Sequence, residues 1–207
     1  IYEKISGYSE KRDFPIKNNT SQLSPYLARG ELSVNEIFFS IKKKKNKIKS
    51  YDYNKFTAQL GWREFSYNIL YNFPNLSNKN FISKFDNFPW KKNEANFQKW
   101  RNGNTGFPIV DAGMRELKAT GYMHNRLRMI VASFLVKNLN ISWVFGAKWF
   151  WENLFDADVA NNFAGWQWVA GCGTDAAPYF RIFNPTLQSI RFDKEGKYIR
   201  KWIPELK

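Results

Sequence analysis

Two carboxylates lie two positions apart in the segment from Asp156 to Pro185, DADVANNFAGWQWVAGCGTDAAPYFRIFNP. Asp156 and Asp158 are followed by paired asparagines, by two tryptophans that flank a glutamine, and by a glycine-rich turn. Carboxylates placed in this way can act as general acid and base, bind ribose hydroxyls or backbone amides, or cap a helix. The segment has almost no regular apolar period. Its chemistry indicates a site for a flat ligand with phosphate and sugar parts, without naming that ligand.

Hydroxyl side chains cluster at a predicted helix start in TSQLS, residues 20–24. Helix N-termini bind phosphate because their first N–H groups are unpaired and the helix dipole favours an anion. A plain N-cap explains Ser24 equally well, so both interpretations stay open.

A predicted helix over residues 124–139 carries polar residues beside an apolar face. Asn125, Arg128 and Met129 share one face because they are three and four positions apart, and Arg126 projects from a neighbouring face. Such a face would suit the wall of a ligand cavity. The alternative is a partly exposed helix with two solvated arginines. His124 is the only histidine, and by itself it favours a capping or core role.

Motifs of several enzyme classes are missing from the sequence. It has no CxxC pair, HExxH, GxSxG or P-loop pattern, and we expect no metal site from one cysteine and one histidine. The turn that contains Cys172 lacks the P-loop lysine, and a Cys172 nucleophile paired with His124 is a remote alternative.

The charge balance favours a polyanionic partner. The chain has 32 Lys and Arg against 18 Asp and Glu, a formal charge of +14, and 18% aromatic residues. Nucleic acid is the commonest soluble polyanion, although a basic protein with an aromatic-rich core has the same composition. No apolar run reaches the roughly 18 residues that span a bilayer, and no signal peptide is evident. The single cysteine excludes an internal disulfide and favours a reducing compartment.

The predicted elements are helices, with no alternating strand pattern of any length. Ser24 is the expected N-cap of a helix that starts at Pro25 and runs through NEIFFSI, after a polar, turn-rich start over 1–24. In the next helix, Gln59, Trp62, Arg63 and Ser66 share one face. Residues 42–50, KKKKNKIKS, form a solvated loop or helix end that could also contact nucleic acid. The remaining expected elements are helices over 56–73, 109–121, 124–139 and 144–155, a loop-rich region over 74–109, and a short helix or turn near TLQSIRF.

Several sequence blocks resemble the photolyase/cryptochrome family. They are KRDFP, TSQLSPYLARGELS, GWREF, GNTGFPIVDAGMRELKATGYMHNRLRMIVASFLVKNL and the DADVANNFAGWQW segment, and they cover nearly the whole chain in order. The resemblance implies an all-α fold, the helical FAD-binding domain, over residues 1–207. We expect a fragment, because the chain starts at Ile1 without a methionine and nothing resembles the family's N-terminal α/β domain. An antenna chromophore, methenyltetrahydrofolate or deazaflavin, is expected only in that missing domain.

The resemblance also implies which residues contact FAD. Asp156 and Asp158 match positions that hold the ribose and the ring edge, and Asn162 matches the residue that faces the flavin N5. The full FAD set implied in this way is Tyr8, Thr20, Ser21, Gln22, Leu23, Ser24, Phe56, Arg63, Asn125, Arg128, Asp156, Ala157, Asp158 and Asn162.

Two further residue sets follow from the same resemblance. Trp166, Trp143 and Trp90 match a chain of indoles that reduces the flavin under light. Residues that match DNA and lesion contacts are Arg12, Gln59, Trp62, Arg126, Met129, Trp168 and Gln188. Gln59 is a departure, since the dimer-repair enzymes usually have glutamate there, and its amide can still donate a hydrogen bond.

The expected activity is light-driven repair of cyclobutane pyrimidine dimers in DNA by electron transfer from reduced FAD. The motif HNRLRM, residues 124–129, resembles the class I enzymes, and Asn162 argues against a plant cryptochrome. A cryptochrome-type light sensor without repair is the first alternative, and a non-enzymatic basic nucleic-acid binder is the second. We expect a monomeric protein that binds UV-damaged DNA and no membrane, in the cytoplasm or, in a bacterium, at the nucleoid.

Overall fold

The fold is built from helices throughout the part of the chain that the structure covers. A computed structural model describes residues 2–17, 19–176 and 178–206, and its regular elements there are all helical, which confirms the predicted all-α class. The α-helices are α1 Tyr2–Ile5, α2 Tyr8–Lys11, α3 Ser24–Ala28, α4 Val34–Lys43, α5 Ser50–Asn72, α6 Glu94–Arg101, α7 Pro108–Thr120, α8 Asn125–Ser133, α9 Trp143–Asn153, α10 Val159–Ala170, α11 Pro185–Phe192 and α12 Lys197–Trp202.

The region after Ser24 contains two helices, so the prediction of one continuous helix from Pro25 is wrong. Helix α3 ends at Ala28, and the chain turns through Gly30, whose φ of +74° favours glycine. Ser33 then caps α4 in a reciprocal pair with Glu36, in which each side chain bonds the other residue's backbone N–H. The N-cap of α3 is Leu23 without a side-chain bond, so Ser24 is the first helical residue and not the cap.

Helix boundaries elsewhere differ from the expectations in a few places. Helix α5 begins at Ser50, six residues earlier than predicted, and α6 lies inside the region expected to be loop. Helix α7 ends at Thr120, next to the predicted end, and Gly121 follows as its C-cap in the left-handed conformation. Helix α8 continues into a single π-helical turn, Phe134–Asn138. Helices α1, α2 and α12 were not predicted.

Helix α10 lies in the segment that showed no apolar period. Its Phe163, Trp166 and Val169 are buried in the main core, while Gln167 is fully buried and hydrogen-bonded and other faces line a cleft. Because polar and apolar residues are both enclosed, the segment lacks the one-sided pattern of a surface helix.

Among the described residues, two apolar clusters form the core, and α5 belongs to both. The smaller cluster joins α1, α2 and α4 to Tyr53, Phe56 and Leu60 in the first half of α5. The larger cluster contains α7 to α10 and reaches Ile69 near the end of α5. At 1.5 Å per residue, this 23-residue helix is about 34 Å long. It therefore connects the two clusters, and other residues along its length, among them Gln59, Trp62 and Arg63, line a cleft beside them.

Helices α9 and α10 approach closely at Gly146. A Cβ atom added there would overlap the indole ring of Trp166 and would lie 2.7 Å from Leu135 Cδ2. The absent side chain therefore lets the Trp166 ring lie directly on the α9 backbone.

We predict that Gly146→Ala lowers the free energy of unfolding by about 1–3 kcal/mol, because overpacking strains a filled core. Urea unfolding followed by tryptophan fluorescence measures the change. Gly61→Ala in α5 is the matched control, since nothing lies within 4 Å of its added Cβ. Alanine there should be neutral or stabilising by up to about 1 kcal/mol. Equal effects of the two substitutions would contradict the packing argument.

Candidate functional site

A cleft of about 620 Å³ opens between α5, α8 and α10. This volume lies within the range of about 300–1,000 Å³ that small-molecule sites occupy. The two predicted polar faces meet in it: Gln59, Trp62, Arg63 and Ser66 from α5 lie opposite Asn125, Arg128 and Met129 from α8. Other lining residues used below are Arg12, Asp13, Lys55, Arg126, Phe150, Asp156, Ala157, Asp158, Asn161, Asn162, Trp166, Trp168 and Asp175.

Asp158 joins α5 to the first turn of α10. Its Oδ1 accepts hydrogen bonds of 2.8 Å from the backbone N and the side-chain Nδ2 of Asn161, so it caps α10. Its Oδ2 accepts from the Tyr67 hydroxyl at 2.5 Å and from Arg63 Nη2 at 2.9 Å. Four donors therefore surround one buried carboxylate, which fixes its orientation at the cleft wall.

The charge of Asp158 is stabilised in place. Burial alone would raise the pKa of its carboxyl, but the hydrogen bonds from Tyr67 and Asn161 and the nearby charge of Arg63 outweigh that effect, so the pKa is lowered. The same Nη2 of Arg63 also donates to the Leu27 carbonyl near the end of α3. The pair thus connects α3, α5 and α10.

Asp156 forms the second ion pair, with Arg128 of α8. Arg128 Nη2 lies 2.9 Å from both carboxylate oxygens, and its Nε donates to the Met123 carbonyl at 2.7 Å. Only 2% of the Asp156 side chain is exposed. A carboxylate buried to this extent needs such a partner, since an unpaired charge would be costly in the interior.

Asp13 holds two arginines at one end of the cleft. Its carboxylate lies 2.8 Å from Arg126 Nη2 and 3.7 Å from Arg12 Nε. The side chains of Arg12 and Arg126 are only 12% and 16% exposed, and one nitrogen of each is buried without a hydrogen-bond partner. Two guanidiniums around one carboxylate leave a net positive charge, which suits a phosphate at this position.

Aromatic rings form the inner wall. Trp166 is buried, and its ring makes edge contacts with Phe150 at 5.0 Å and with Trp100 at 6.1 Å between centroids. Trp62 is about half exposed at the cleft edge, and Trp168 lines it while its Nε1 donates to the Asp175 carbonyl. Flat π faces beside polar side chains are suited to a heteroaromatic ligand.

The predicted tryptophan chain has two members away from the cleft lining. Trp143 is buried in the main core, where its Nε1 donates to Asn80 Oδ1 at 2.9 Å. Trp90 is half-buried and packs on Phe88 at 4.4 Å between ring centroids. Their part in electron transfer stays a prediction.

Several predicted FAD contacts lie outside the residues that line this cleft. Tyr8 and Phe56 are buried in the smaller cluster, with their ring centroids 5.2 Å apart. The predicted segment Thr20, Ser21, Gln22, Leu23 and Ser24 forms the approach to the short helix α3, and Gln22 has a positive φ of 57°. Gln188, which was predicted as a DNA contact, also lies outside the cleft lining. It belongs to α11, and its Oε1 is buried without a hydrogen-bond partner.

Gln167 is a positioning residue that the sequence analysis did not identify. It is fully buried, and its amide donates to the carbonyls of Leu76 and Lys79 and accepts from the Phe81 N–H. These three bonds tie the 76–81 loop to α10 behind Trp166. The sequence shows that Gln167 stands between two tryptophans. It cannot show the hydrogen-bond partners of the amide, because they lie some 90 residues earlier in the chain.

Cysteine chemistry is disfavoured by the burial of Cys172. Burial raises the pKa of its thiol to about 12, which opposes formation of the thiolate that a nucleophile needs. Within residues 2–17, 19–176 and 178–206 no cluster of three potential metal ligands occurs. Among the same residues, no helix is long and apolar enough to cross a bilayer.

Comparison with known proteins adds independent findings. Residues 56–207 match the family described as the FAD binding domain of DNA photolyase. A deoxyribodipyrimidine photo-lyase of Agrobacterium fabrum is 53% identical over 98% of this chain and 42% of its own length. The chain therefore spans about two-fifths of the curated relatives that it matches.

Two solved structures have the same fold. The crystal structure of a bacterial class III photolyase from Agrobacterium tumefaciens matches with a TM-score of 0.95 and 53% identity, over 98% of this chain and 42% of that chain. A cryptochrome from Synechocystis sp. PCC6803 matches with a TM-score of 0.93 and 39% identity, over 99% of this chain and 43% of that chain.

His124 supplies a pH-dependent contribution to stability beside the cleft. Its Nδ1 accepts from the Arg126 N–H and caps α8, as the capping interpretation predicted. Burial lowers its pKa to about 4, and the charges of Arg128 and Arg12 act in the same direction while Asp13 opposes them. At a pH between about 4 and 6.5, the imidazole is therefore neutral in the folded protein, whereas it is protonated in the unfolded chain.

Between pH 6.5 and about 4, we expect the wild type to lose roughly 3 kcal/mol more stability than His124→Asn. The unfolded histidine takes up a proton in this window and the folded one does not, so acid favours unfolding. Asparagine keeps the N-cap. Urea unfolding of both proteins at the two pH values gives the result, and parallel pH dependences would rule out the neutral buried imidazole.

Proposed function

The chain belongs to the DNA photolyase family through that family's FAD-binding domain, and from this premise we propose that it binds FAD in the cleft and repairs cyclobutane pyrimidine dimers in DNA under light. The observation that carries the proposal is the single cleft in which the Asp156 and Asp158 ion pairs lie beside Trp166. The chain spans about two-fifths of the length of its relatives, so the repair activity of a whole photolyase is proposed for this chain and not assigned to it by the comparison.

The cleft's side chains fit FAD. A flavin needs a flat slot with an aromatic side and a polar edge, and sugar hydroxyls need acceptors. Within the described part of the chain, the carboxylate of Asp156 accepts only from Arg128 Nη2 and so keeps acceptor capacity, whereas the four donors on Asp158 leave it to hold Arg63 at the wall. Asn162, whose Nδ2 donates to the Ala147 carbonyl at 2.9 Å, supplies a fixed amide. The residues proposed to hold FAD here are Arg63, Asn125, Arg128, Asp156, Ala157, Asp158 and Asn162.

The remaining predicted FAD contacts form a second part of the proposal. The segment leads into α3, which begins at Ser24 and whose Leu27 carbonyl accepts a hydrogen bond from Arg63; its members are Thr20, Ser21, Gln22, Leu23 and Ser24. This hydrogen bond supports a ligand that extends from the cleft toward that segment. Tyr8 and Phe56 would then support the site by packing.

The outer part of the cleft suits a flipped pyrimidine pair. Trp62, Met129 and Trp168 offer apolar and aromatic surfaces, and Gln59 adds an amide that can donate a hydrogen bond. Photolyases are among the enzymes known to extrude their target bases from the duplex, at a cost in stacking that is smallest for a damaged pair. Arg12, Arg126 and Gln188 are proposed to hold the DNA strand beside this opening.

The protein's part in the reaction is to bind, orient and exclude water. When bound and reduced, FAD supplies the light-driven electron that opens the cyclobutane ring and recovers it afterwards. The ion pairs keep the wall residues in place, the Trp62 and Trp168 rings orient the lesion, and Gln59 donates to its carbonyl oxygens. Trp166, Trp143 and Trp90 are proposed to pass electrons one at a time to an oxidised flavin under light, because indole is readily oxidised, and an external reductant then restores the oxidised indole.

Two findings bear on the repair class. HNRLRM resembles class I enzymes, whereas the Agrobacterium structure at 53% identity is a class III photolyase. A light sensor without repair is the second candidate, favoured by the cryptochrome of the same fold. The aromatic outer cleft favours repair, since a sensor needs no lesion pocket. An antenna pigment is expected only in another part of a longer protein.

Repair of a thymine-dimer oligonucleotide by the purified protein with added FAD and reductant tests the proposal. We expect flavin absorption in the bound fraction and blue-light-dependent loss of the dimer. Bound flavin without repair would favour the sensor, and absence of bound flavin would contradict the cleft assignment. A dark sample is the control.

Replacing Trp166 with Phe separates flavin reduction from repair. Phenylalanine keeps an aromatic ring against Gly146 but is much harder to oxidise. We expect light-driven reduction of the bound flavin to slow strongly, while repair by chemically reduced protein falls far less. Absorption spectroscopy follows the reduction, with the exposed Trp151→Phe as control. Unchanged photoreduction in Trp166→Phe would remove this residue from the electron route.

A further inference from the structure

A lysine-rich segment connects α4 to α5 beside the cleft. Residues 42–49 contain six lysines and no acid, and their chain passes through a 3₁₀ turn at Lys45–Lys47. The six side chains are exposed. They are Lys42, Lys43, Lys44, Lys45, Lys47 and Lys49, and together they form what we call the lysine segment.

The nearest carboxylates in the sequence are engaged elsewhere. Glu36 accepts the Ser33 N–H in the capping box of α4. Asp52 is buried and accepts hydrogen bonds from the Gly7 and Ser9 N–H groups and from the Ser9 hydroxyl. Asp52 also interacts electrostatically with Lys49, which offsets part of that lysine's charge. Because the six lysine side chains are exposed, the segment as a whole presents a net positive charge to solvent.

Stability explains only part of this arrangement. Lys42 and Lys43 lie in the last turn of α4, where cations interact favourably with the helix dipole. Lys45 also lies over the Tyr53 ring at 5.2 Å. Lys47 and Lys49, however, directly precede the N-terminus of α5, where a cation is disfavoured by about 0.3–1 kcal/mol. A run that continues across this boundary fits binding to an anionic partner better than helix stabilisation.

The segment lies next to the wall of the cleft. It leads directly into α5, whose Lys55, Gln59 and Trp62 line the cleft. From Lys49 to Lys55 the helix rises about 9 Å. Phosphates of one DNA strand follow at about 3.4 Å along the duplex axis. A strand bound at the cleft would thus place phosphates two to four nucleotides away within reach of the lysines.

We propose that the lysine segment binds the phosphate backbone of the DNA that flanks a base pair held in the cleft. The inference rests on the proposed function for the identity of the partner, and it adds a contact surface outside the lesion pocket. Its contribution is independent of base sequence and of damage, because lysine reads the phosphate charge alone. It raises the affinity for any duplex and lets the protein scan undamaged DNA.

An anionic membrane is the competing partner for such a surface. Binding in a membrane interface needs a helix with one continuous apolar face that can enter the lipid. The apolar face of α4 is already used, since Ile37 and Ile41 are buried in the smaller cluster. Phe39 and Tyr51 are exposed but lie on different helices. The surface therefore favours a hydrophilic polyanion.

The test compares two variants that each lack four of the lysines. In the first, Lys42, Lys43, Lys45 and Lys47 are replaced with glutamine. In the matched control, Lys91, Lys92, Lys118 and Lys148, exposed residues outside the cleft lining, are replaced in the same way. The dissociation constant for an undamaged 30-base-pair duplex, a probe length of about three helical turns, is measured against salt concentration. Thermal unfolding confirms that both variants fold.

The slope of log K against log[salt] measures how many phosphates the protein neutralises. We expect the first variant to make this slope shallower by about 2–3, because each lost lysine–phosphate contact removes about 0.9 from its magnitude. Its affinity at low salt should fall more than tenfold, by the same relation. The control variant should change the slope by less than about 1. Equal changes in both variants would show a net-charge effect and overturn the inference.

Other outcomes separate the inference from the proposed function. Wild-type binding with a slope that the first variant does not alter overturns the inference and leaves the proposed function standing. A wild type that binds neither this duplex nor the same duplex with a thymine dimer contradicts the proposed function itself, and binding of the damaged duplex alone overturns the inference. Vesicles of phosphatidylcholine with phosphatidylserine provide the membrane probe. Loss of vesicle binding by the first variant, with DNA binding intact, would assign the segment to lipid and overturn the inference.

Discussion

The two buried ion pairs of the Asp156–Asp158 segment hold the cleft together. Arg63 reaches this segment from α5 and Arg128 from α8, while Asp158 also caps α10. Taking two charges out of water costs several kcal/mol per ion, so each partner depends on the other remaining in place. Removing one arginine would leave a buried carboxylate without its counter-ion. The three helices that form the walls are therefore fixed relative to one another by the same residues that face the ligand site.

The rest of the core serves this arrangement. Gly146 allows the Trp166 ring to lie on α9, and Gln167 anchors the 76–81 loop on the opposite side of α10. Helix α10 is thereby held from both sides, and its wall residues keep one orientation. A site whose geometry is set in advance binds a rigid ligand without first ordering its own side chains. Two regions of different chemistry result: the cleft, lined by polar and aromatic side chains, and the exposed, cationic lysine segment.

The sequence predicted those features that depend on local spacing. The shared face of Gln59, Trp62 and Arg63 and the end of α7 at Gly121 follow from helical periodicity and glycine geometry, and both agree with the structure. Helix α10 was not predicted, because polar residues that face the cleft alternate with apolar residues that face the core, so that the sequence shows no single apolar face. The division of α3 from α4 was missed although Ser33 and Glu36 are a readable capping box. Pairings such as Arg63 with Asp158 join distant residues, and no local pattern contains them.

A double-mutant cycle on Arg63 and Asp158 tests the central claim most directly. The free energies of unfolding of Arg63→Met, Asp158→Asn and the double variant are measured against the wild type by urea titration at pH 7. We expect the two single changes to be strongly non-additive, with an interaction energy of at least about 1 kcal/mol. Additivity within about 0.3–0.5 kcal/mol would contradict the claim, because this ion pair would then not couple α5 to the start of α10.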